Sequence, residues 1–133
     1  MTSAPGVGAG FAPTGEDVAG VLAWFAQWDA LAVAKDVEGM ADLALFPVNA
    51  VTEGSAQAWD RERFLRDMAA SLGDGEVGME SVRTPHFVSA DLVFVITDAT
   101  ITAGDFSQVV RYGDLLVKRD GKWLFQTMVQ GGW

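Results

Sequence analysis

Between Val18 and Ala32 apolar residues recur at steps of three and four: Val18, Val21, Leu22, Phe25, Trp28 and Ala32. That is the period of an amphipathic helix. Thr14 followed by Asp17 forms a capping box before it, and Glu16 and Asp17 suit the positive end of a helix dipole. The spacing predicts a helix from residue 16 to about residue 35. Trp24 and Leu31 widen the apolar stripe, so this helix must be covered on more than one side. Asp36 caps a second, shorter helix on which Val37, Met40, Ala41 and Ala44 share a face, and Pro47 ends it. "VNAVTEG" reads as a short strand. Asp60 caps a third helix with Phe64, Leu65, Met68, Ala69 and Leu72 on one side, an outward Glu62–Arg66 pair, and "GDG" after it.

Beyond residue 76 the period changes to two. Residues 77–88, 91–103, 106–119 and 122–131 read as four strands joined by "SAD", "AGD" and "RDG". Such short links imply antiparallel neighbours. Pro85 places the first of these strands at an edge or a bulge. The expected fold class is therefore α+β: three N-terminal helices packed on a curved antiparallel sheet.

Composition narrows the functions open to such a fold. The chain has 133 residues, half of them apolar, enough for one domain with a full core. Cysteine is absent, which excludes disulfides, thiolate metal sites and a cysteine nucleophile. A formal charge of −9 repels phosphate backbones and anionic membrane surfaces, so neither nucleic acid nor membrane is an expected partner. Residues 1–15 carry Gly, Ala, Pro, Ser and Thr without any charged side chain. They lack the basic start and continuous apolar centre of a secretory signal, and "GVGAG" follows no strand, so it is no dinucleotide fingerprint. The expectation is a mobile tail ahead of a single domain over residues 16–133, in a cytoplasmic protein.

Three stretches resemble the nuclear transport factor 2-like superfamily of cystatin-like cone folds: "AKDVEGMADLALF" after the long first helix, "WDRERFL" opening the third, and "RYGDLLVKRDGKWLF" turning the last hairpin. The resemblance covers about residues 16–133. It implies a cone-shaped apolar cavity between sheet and helices, and homodimers formed through the sheet. Ketosteroid isomerases, scytalone dehydratases, limonene epoxide hydrolases, polyketide cyclases and non-enzymatic binders share this fold, which does not choose among them.

Chemistry must come from individual residues. The single histidine, His86, has no cysteine or acid motif around it, so no zinc site or Ser-His-Asp triad is expected. No loop has EF-hand spacing, and no Gly-rich loop ends in Gly-Lys-Ser/Thr. No metal and no cofactor are expected. Acid–base work by carboxylates or tyrosine remains. Paired across Asp120-Gly121 without a bulge, the last hairpin has two faces. One carries Lys118/Trp123, Leu116/Phe125, Asp114/Thr127 and Tyr112/Val129. The other carries Val117/Leu124, Leu115/Gln126, Gly113/Met128 and Arg111/Gln130, and is the expected dimer surface. A one-residue slip exchanges the faces of one strand.

Asp114 then lies in an apolar setting, with Thr127 and Tyr112 as its donors. Burial raises a carboxyl's pKa and equips it as an acid near neutrality. The alternative is a buried structural hydrogen bond. The resemblance adds that an aspartate in this strand faces the pocket of ketosteroid isomerases. Their first-helix tyrosine is matched here by Trp28, and their catalytic base only loosely by Glu53; both departures argue against that activity. Asp29, mid-helix, either points into the cavity or ends in solvent or an ion pair. Trp24, Trp28, Phe46, Phe64, Met68 and Phe87 are either cavity lining or plain core. Two classes of function stay open: a binder of an apolar small molecule lined by these residues and Thr127, or a cofactor-independent isomerase, dehydratase or cyclase using Asp114 with Tyr112 or Asp29. A third is a structural or assembly subunit with a filled cone.

Overall fold

Thr14 opens the first helix as a capping box: its hydroxyl accepts from the Asp17 N–H, and the Asp17 carboxylate accepts from the Thr14 N–H. A computed structural model of the chain describes residues 11–73 and 78–131. Helix α1 spans Gly15–Val33. Asp36 caps α2 (Val37–Ala41) and Asp60 caps α3 (Arg61–Leu72), each accepting from the N–H three residues on. Residues 1–10 of the expected tail lie outside the described residues, whereas Phe11 packs its ring on Phe87 at 5.8 Å.

Among the described residues there are six strands, two before α3 and four after it: β1 (Ala44–Thr52), β2 (Ser55–Trp59), β3 (Gly78–Ser89), β4 (Leu92–Ala103), β5 (Phe106–Arg119) and β6 (Lys122–Gln130). They form one curved sheet in the order β2-β1-β6-β5-β4-β3. β1 runs parallel to β6 and every other pair is antiparallel. Pro85 does sit on an edge strand, β3, where its missing N–H costs no ladder bond. Two expectations change. Ala44 belongs to β1, because it pairs with Phe125, whose N–H is bound by the Leu43 carbonyl at 2.8 Å. The sheet thus ends α2 before Pro47 can act. And "SAQAW" is a strand despite its weak apolar signal: as the outer edge it buries only Trp59, and Gly54 at φ 75° turns it back from β1. The expected Glu62–Arg66 pair is also replaced, with Arg63 and Arg66 both meeting Asp67 instead.

The helices cover one face of the sheet. Val21, Trp24 and Phe25 of α1, Met40 and Ala41 of α2, and Phe64 of α3 are buried against Val48, Val93, Val95, Leu116 and Phe125. Trp24 combines apolar burial with a hydrogen bond, its indole N–H donating to the Trp123 carbonyl at 3.1 Å and so tying α1 to β6. Among the described residues no helix is long and apolar enough to cross a membrane.

The last hairpin turns on Asp120 and Gly121, both at positive φ, and pairs Arg119 with Lys122 as a two-residue turn requires. The pairing then departs from the bulge-free expectation. Leu116 faces Phe125 but Leu115 faces Thr127, so Gln126 is an extra residue in β6. Beyond it the faces of β6 exchange: Asp114 is opposite Met128, and Tyr112 opposite Gln130. The physical reason is burial. Phe125 and Met128 are three residues apart, and only an inserted residue lets both point at the helices, where both are buried. Gln126 reaches across to the Pro47 carbonyl at 3.4 Å, beside the irregularity in the β1–β6 pairing.

On the outer face Gly113 leaves room for a neighbour: a Cβ there would stand 2.4 Å from Phe94 Cζ. Gly113→Ala is therefore expected to displace the Phe94 ring and cost about 1–2 kcal/mol, read from urea unfolding midpoints. An unchanged midpoint would show the ring swings aside freely.

Candidate functional site

The inner face of the sheet places its residues in rows, because paired residues on neighbouring strands point the same way. One row is Pro85, Val95, Asp114, Met128 and Ala50; the next, farther along β5 toward its start, is Arg83, Thr97, Tyr112 and Gln130. The first row is apolar except for Asp114. The second is polar throughout. Two of the predicted catalytic residues, Asp114 and Tyr112, are thus neighbours on one face.

The third, Asp29, reaches them from α1 through a residue that sequence reasoning did not single out. Arg83 donates to both Asp29 carboxylate oxygens at 2.5 and 3.0 Å, to Thr97 Oγ1 at 3.2 Å and to Tyr112 Oη at 3.4 Å. Its guanidinium also lies over the Phe25 ring, 4.4 Å from the centroid. Its side chain is only 7% exposed. A buried guanidinium needs this many partners. Burial alone pulls the Arg83 pKa down, but the hydrogen bonds and charge of Asp29 outweigh it, and the net shift is upward. Asp29 is thus in an ion pair. Arg83 is signalled in the sequence only by its alternation with Pro85 and Phe87, which puts a cation on the inward face of β3.

Asp114 is different. It is 6% exposed, and among the described residues no donor reaches its carboxyl. Thr127, expected opposite it, is on the other face, where it bonds Gln126 and Asn49. Every fully sealed side-chain oxygen or nitrogen among the described residues has a hydrogen-bond partner. The Asp114 oxygens have none, so they are not fully sealed. Burial pushes the Asp114 carboxyl up to about 7; the Arg83 charge opposes this and the Asp29 charge adds to it. Tyr112 is also raised by burial, against the pull of Arg83. Its hydroxyl accepts from Arg83, so its own proton remains available to donate.

The predicted lining residues pack largely on one another. Trp24 stacks on Trp28 at 5.4 Å, Trp28 meets Phe125 at 5.1 Å, and Phe46 meets Phe64 edge-on at 5.6 Å. Phe64 is fully buried, while Trp28, Phe46, Met68 and Phe87 are partly buried at the edge of the core. Gln130, expected on the outer face, shares the inner face with Tyr112, and His86 is exposed on the outer face of β3. A cleft of about 330 Å³ lies elsewhere, between β1, β2 and α3, lined by Thr52, Gln57, Trp59, Arg63 and Asp67 among others.

No family model matches the chain, and no curated protein matches it. Solved structures do. A nuclear transport factor 2-like protein of unknown function from Pseudomonas putida KT2440 is similar with a TM-score of 0.77 at 12% identity, over 92% of this chain and 90% of that one. A candidate scytalone dehydratase from Novosphingobium aromaticivorans is similar at 0.67 and 14% identity, over 86% and 82%. A candidate dehydratase of the nuclear transport factor 2-like family from Streptomyces avermitilis is similar at 0.67 and 17%, over 89% and 97%. Identities this low speak to the fold alone. The chain has the nuclear transport factor 2-like, or cystatin-like, α+β fold, as the three sequence stretches implied.

Proposed function

We propose that the protein binds a small, mainly apolar molecule through an oxygen atom held by Tyr112 and Asp114. The observation that carries this reading is the Asp114 carboxyl, buried, unbonded and not fully sealed. An unfilled buried polar group is costly, and a ligand that fills it gains what the free protein lacks. Trp28, Met68 and Phe87, partly buried at the core margin, supply apolar contact. Titration of the ¹⁵N-labelled protein with 2-acetylnaphthalene tests this. Amide shifts should centre on Arg83, Tyr112, Asp114 and Gln130, and Tyr112→Phe should weaken binding about 3- to 10-fold. Shifts confined to the cleft beside α3, or to the outer sheet face, would remove the assignment.

A second reading is supported by the position of the Asp114 pKa, about 7. A carboxyl poised there can give or take a proton at neutral pH, as a cofactor-independent isomerase, dehydratase or cyclase needs. The two candidate dehydratases among the similar structures are consistent with that chemistry in this fold. Asp114→Asn separates the readings: it keeps ligand binding under both and abolishes turnover only in an enzyme.

The outer face supports a homodimer formed through the sheet. Phe94, Ile96, Leu115, Val117 and Leu124 are partly exposed there, with Val82 and Val129 exposed beside them. Such contiguous apolar area marks contacts. Sedimentation velocity at micromolar concentration should show a dimer that Leu115→Asp converts to a monomer. A monomeric native chain would remove the dimer.

A further inference from the structure

The charges around Tyr112 and Asp114 also select what can bind. Arg83 is the cation of the inner face there, and Asp29 holds both of its outer nitrogens. Among the described residues, the other ionisable groups facing Asp114 are Tyr112 on its own strand and Asp29 on α1; its row neighbours on β3, β4 and β6 are Pro85, Val95 and Met128. With Arg83 and Asp29 cancelling, the site carries no net charge when Asp114 is protonated and one negative charge when it is ionised. Among the described residues, an incoming carboxylate meets no unpaired positive charge in either state. It must lose its hydration in a mostly buried setting, where an uncompensated charge is most costly.

Resting on the binding reading above, we propose that Asp29 sets the charge class of the ligand: by occupying Arg83 it makes the site take an uncharged ketone or alcohol and reject a carboxylate of the same shape. Asp29 is in this view a specificity residue that acts through Arg83, and it touches neither the ligand nor a reacting atom. The fold would accept the opposite choice with one substitution. Removing the Asp29 charge adds one positive charge to the site in both protonation states of Asp114, and it frees donors on Arg83.

The test uses two probes that share a ring system and differ at one group, 2-acetylnaphthalene and 2-naphthoate, with binding followed by calorimetry near pH 6, where Asp114 keeps its proton and the naphthoate is ionised. The native protein should bind the ketone and bind the carboxylate at least about tenfold more weakly. Asp29→Asn should strengthen carboxylate binding about tenfold or more and change ketone binding less than about threefold. Asp29→Ser provides the same readout if the asparagine variant folds poorly, with circular dichroism as the check on folding. The gain should vanish in the Asp29→Asn/Arg83→Met double variant, because the freed guanidinium is its source. Equal native affinities for the two probes, or a gain that survives loss of Arg83, would overturn the charge selection and leave the binding site standing. Absence of binding by either probe would overturn both.

Discussion

Asp114→Asn is expected to leave stability almost unchanged near pH 4 and to raise it by about 4 kcal/mol near pH 8. An aspartate in the unfolded chain ionises near 3.8, whereas burial holds Asp114 protonated in the folded protein up to about 7. Below the first value both states carry the proton, and the carboxyl makes no pH-dependent difference. Between the two values the unfolded chain has released a proton that the folded protein still binds. Stability therefore falls as pH rises through that window, and it levels off above the folded pKa. Asparagine has the same shape and no charge to acquire, so the variant skips this loss. Urea unfolding of both proteins at half-unit steps from pH 4 to pH 8.5 measures it, and the difference between the curves isolates Asp114 from the other carboxylates. Parallel curves would mean that Asp114 titrates as a solvated acid, and the proposed site would fall with it. The effect is large against a typical domain stability of about 5–15 kcal/mol.

Phe64→Ala is expected to cost about 3–5 kcal/mol. Phe64 is fully buried, and its ring meets Phe46 at 5.6 Å, Trp28 at 6.4 Å and Phe125 at 6.5 Å. Removing it takes one ring from the middle of an aromatic cluster that three helices and the sheet cannot close around. The midpoint of urea unfolding reads the loss directly. The same experiment separates core from pocket among the aromatic residues. If Phe64 bordered an already open cavity, its truncation would leave less new void and cost under about 2 kcal/mol. Met68→Ala, at the partly buried margin of the cluster, should cost less than Phe64→Ala in either case.

Both experiments probe the face of the sheet that the helices cover. Its apolar part is filled by Phe25, Met40, Phe64 and Leu116, all fully or almost fully buried. Its polar row lies at Arg83, Thr97, Tyr112 and Gln130, with Asp114 at the border between the two.

The sequence by itself determined the α+β class, the three capped helices, and four of the six strands almost to the residue. Those features are local: a cap acts over three residues, a helix shows its period within two turns, and a two-residue turn sets the pairing next to it. It also made Asp114 conspicuous, as an acid between Tyr112 and Leu116 on an alternating strand. Three things were decided only by tertiary structure. The edge strand β2 exists because β1 offers it a ladder, and its own residues carry almost no apolar signal. The bulge at Gln126 exists because Phe125 and Met128 both gain burial against the helices, and that gain outweighs regular pairing; it moves Thr127 away from Asp114 and brings Gln130 beside Tyr112. The pairing of Asp29 with Arg83 joins residues 54 positions apart, on a helix and an edge strand that meet only in the folded chain. No local pattern could show the ion pair, because Coulomb attraction depends on distance in space and leaves no period along the chain.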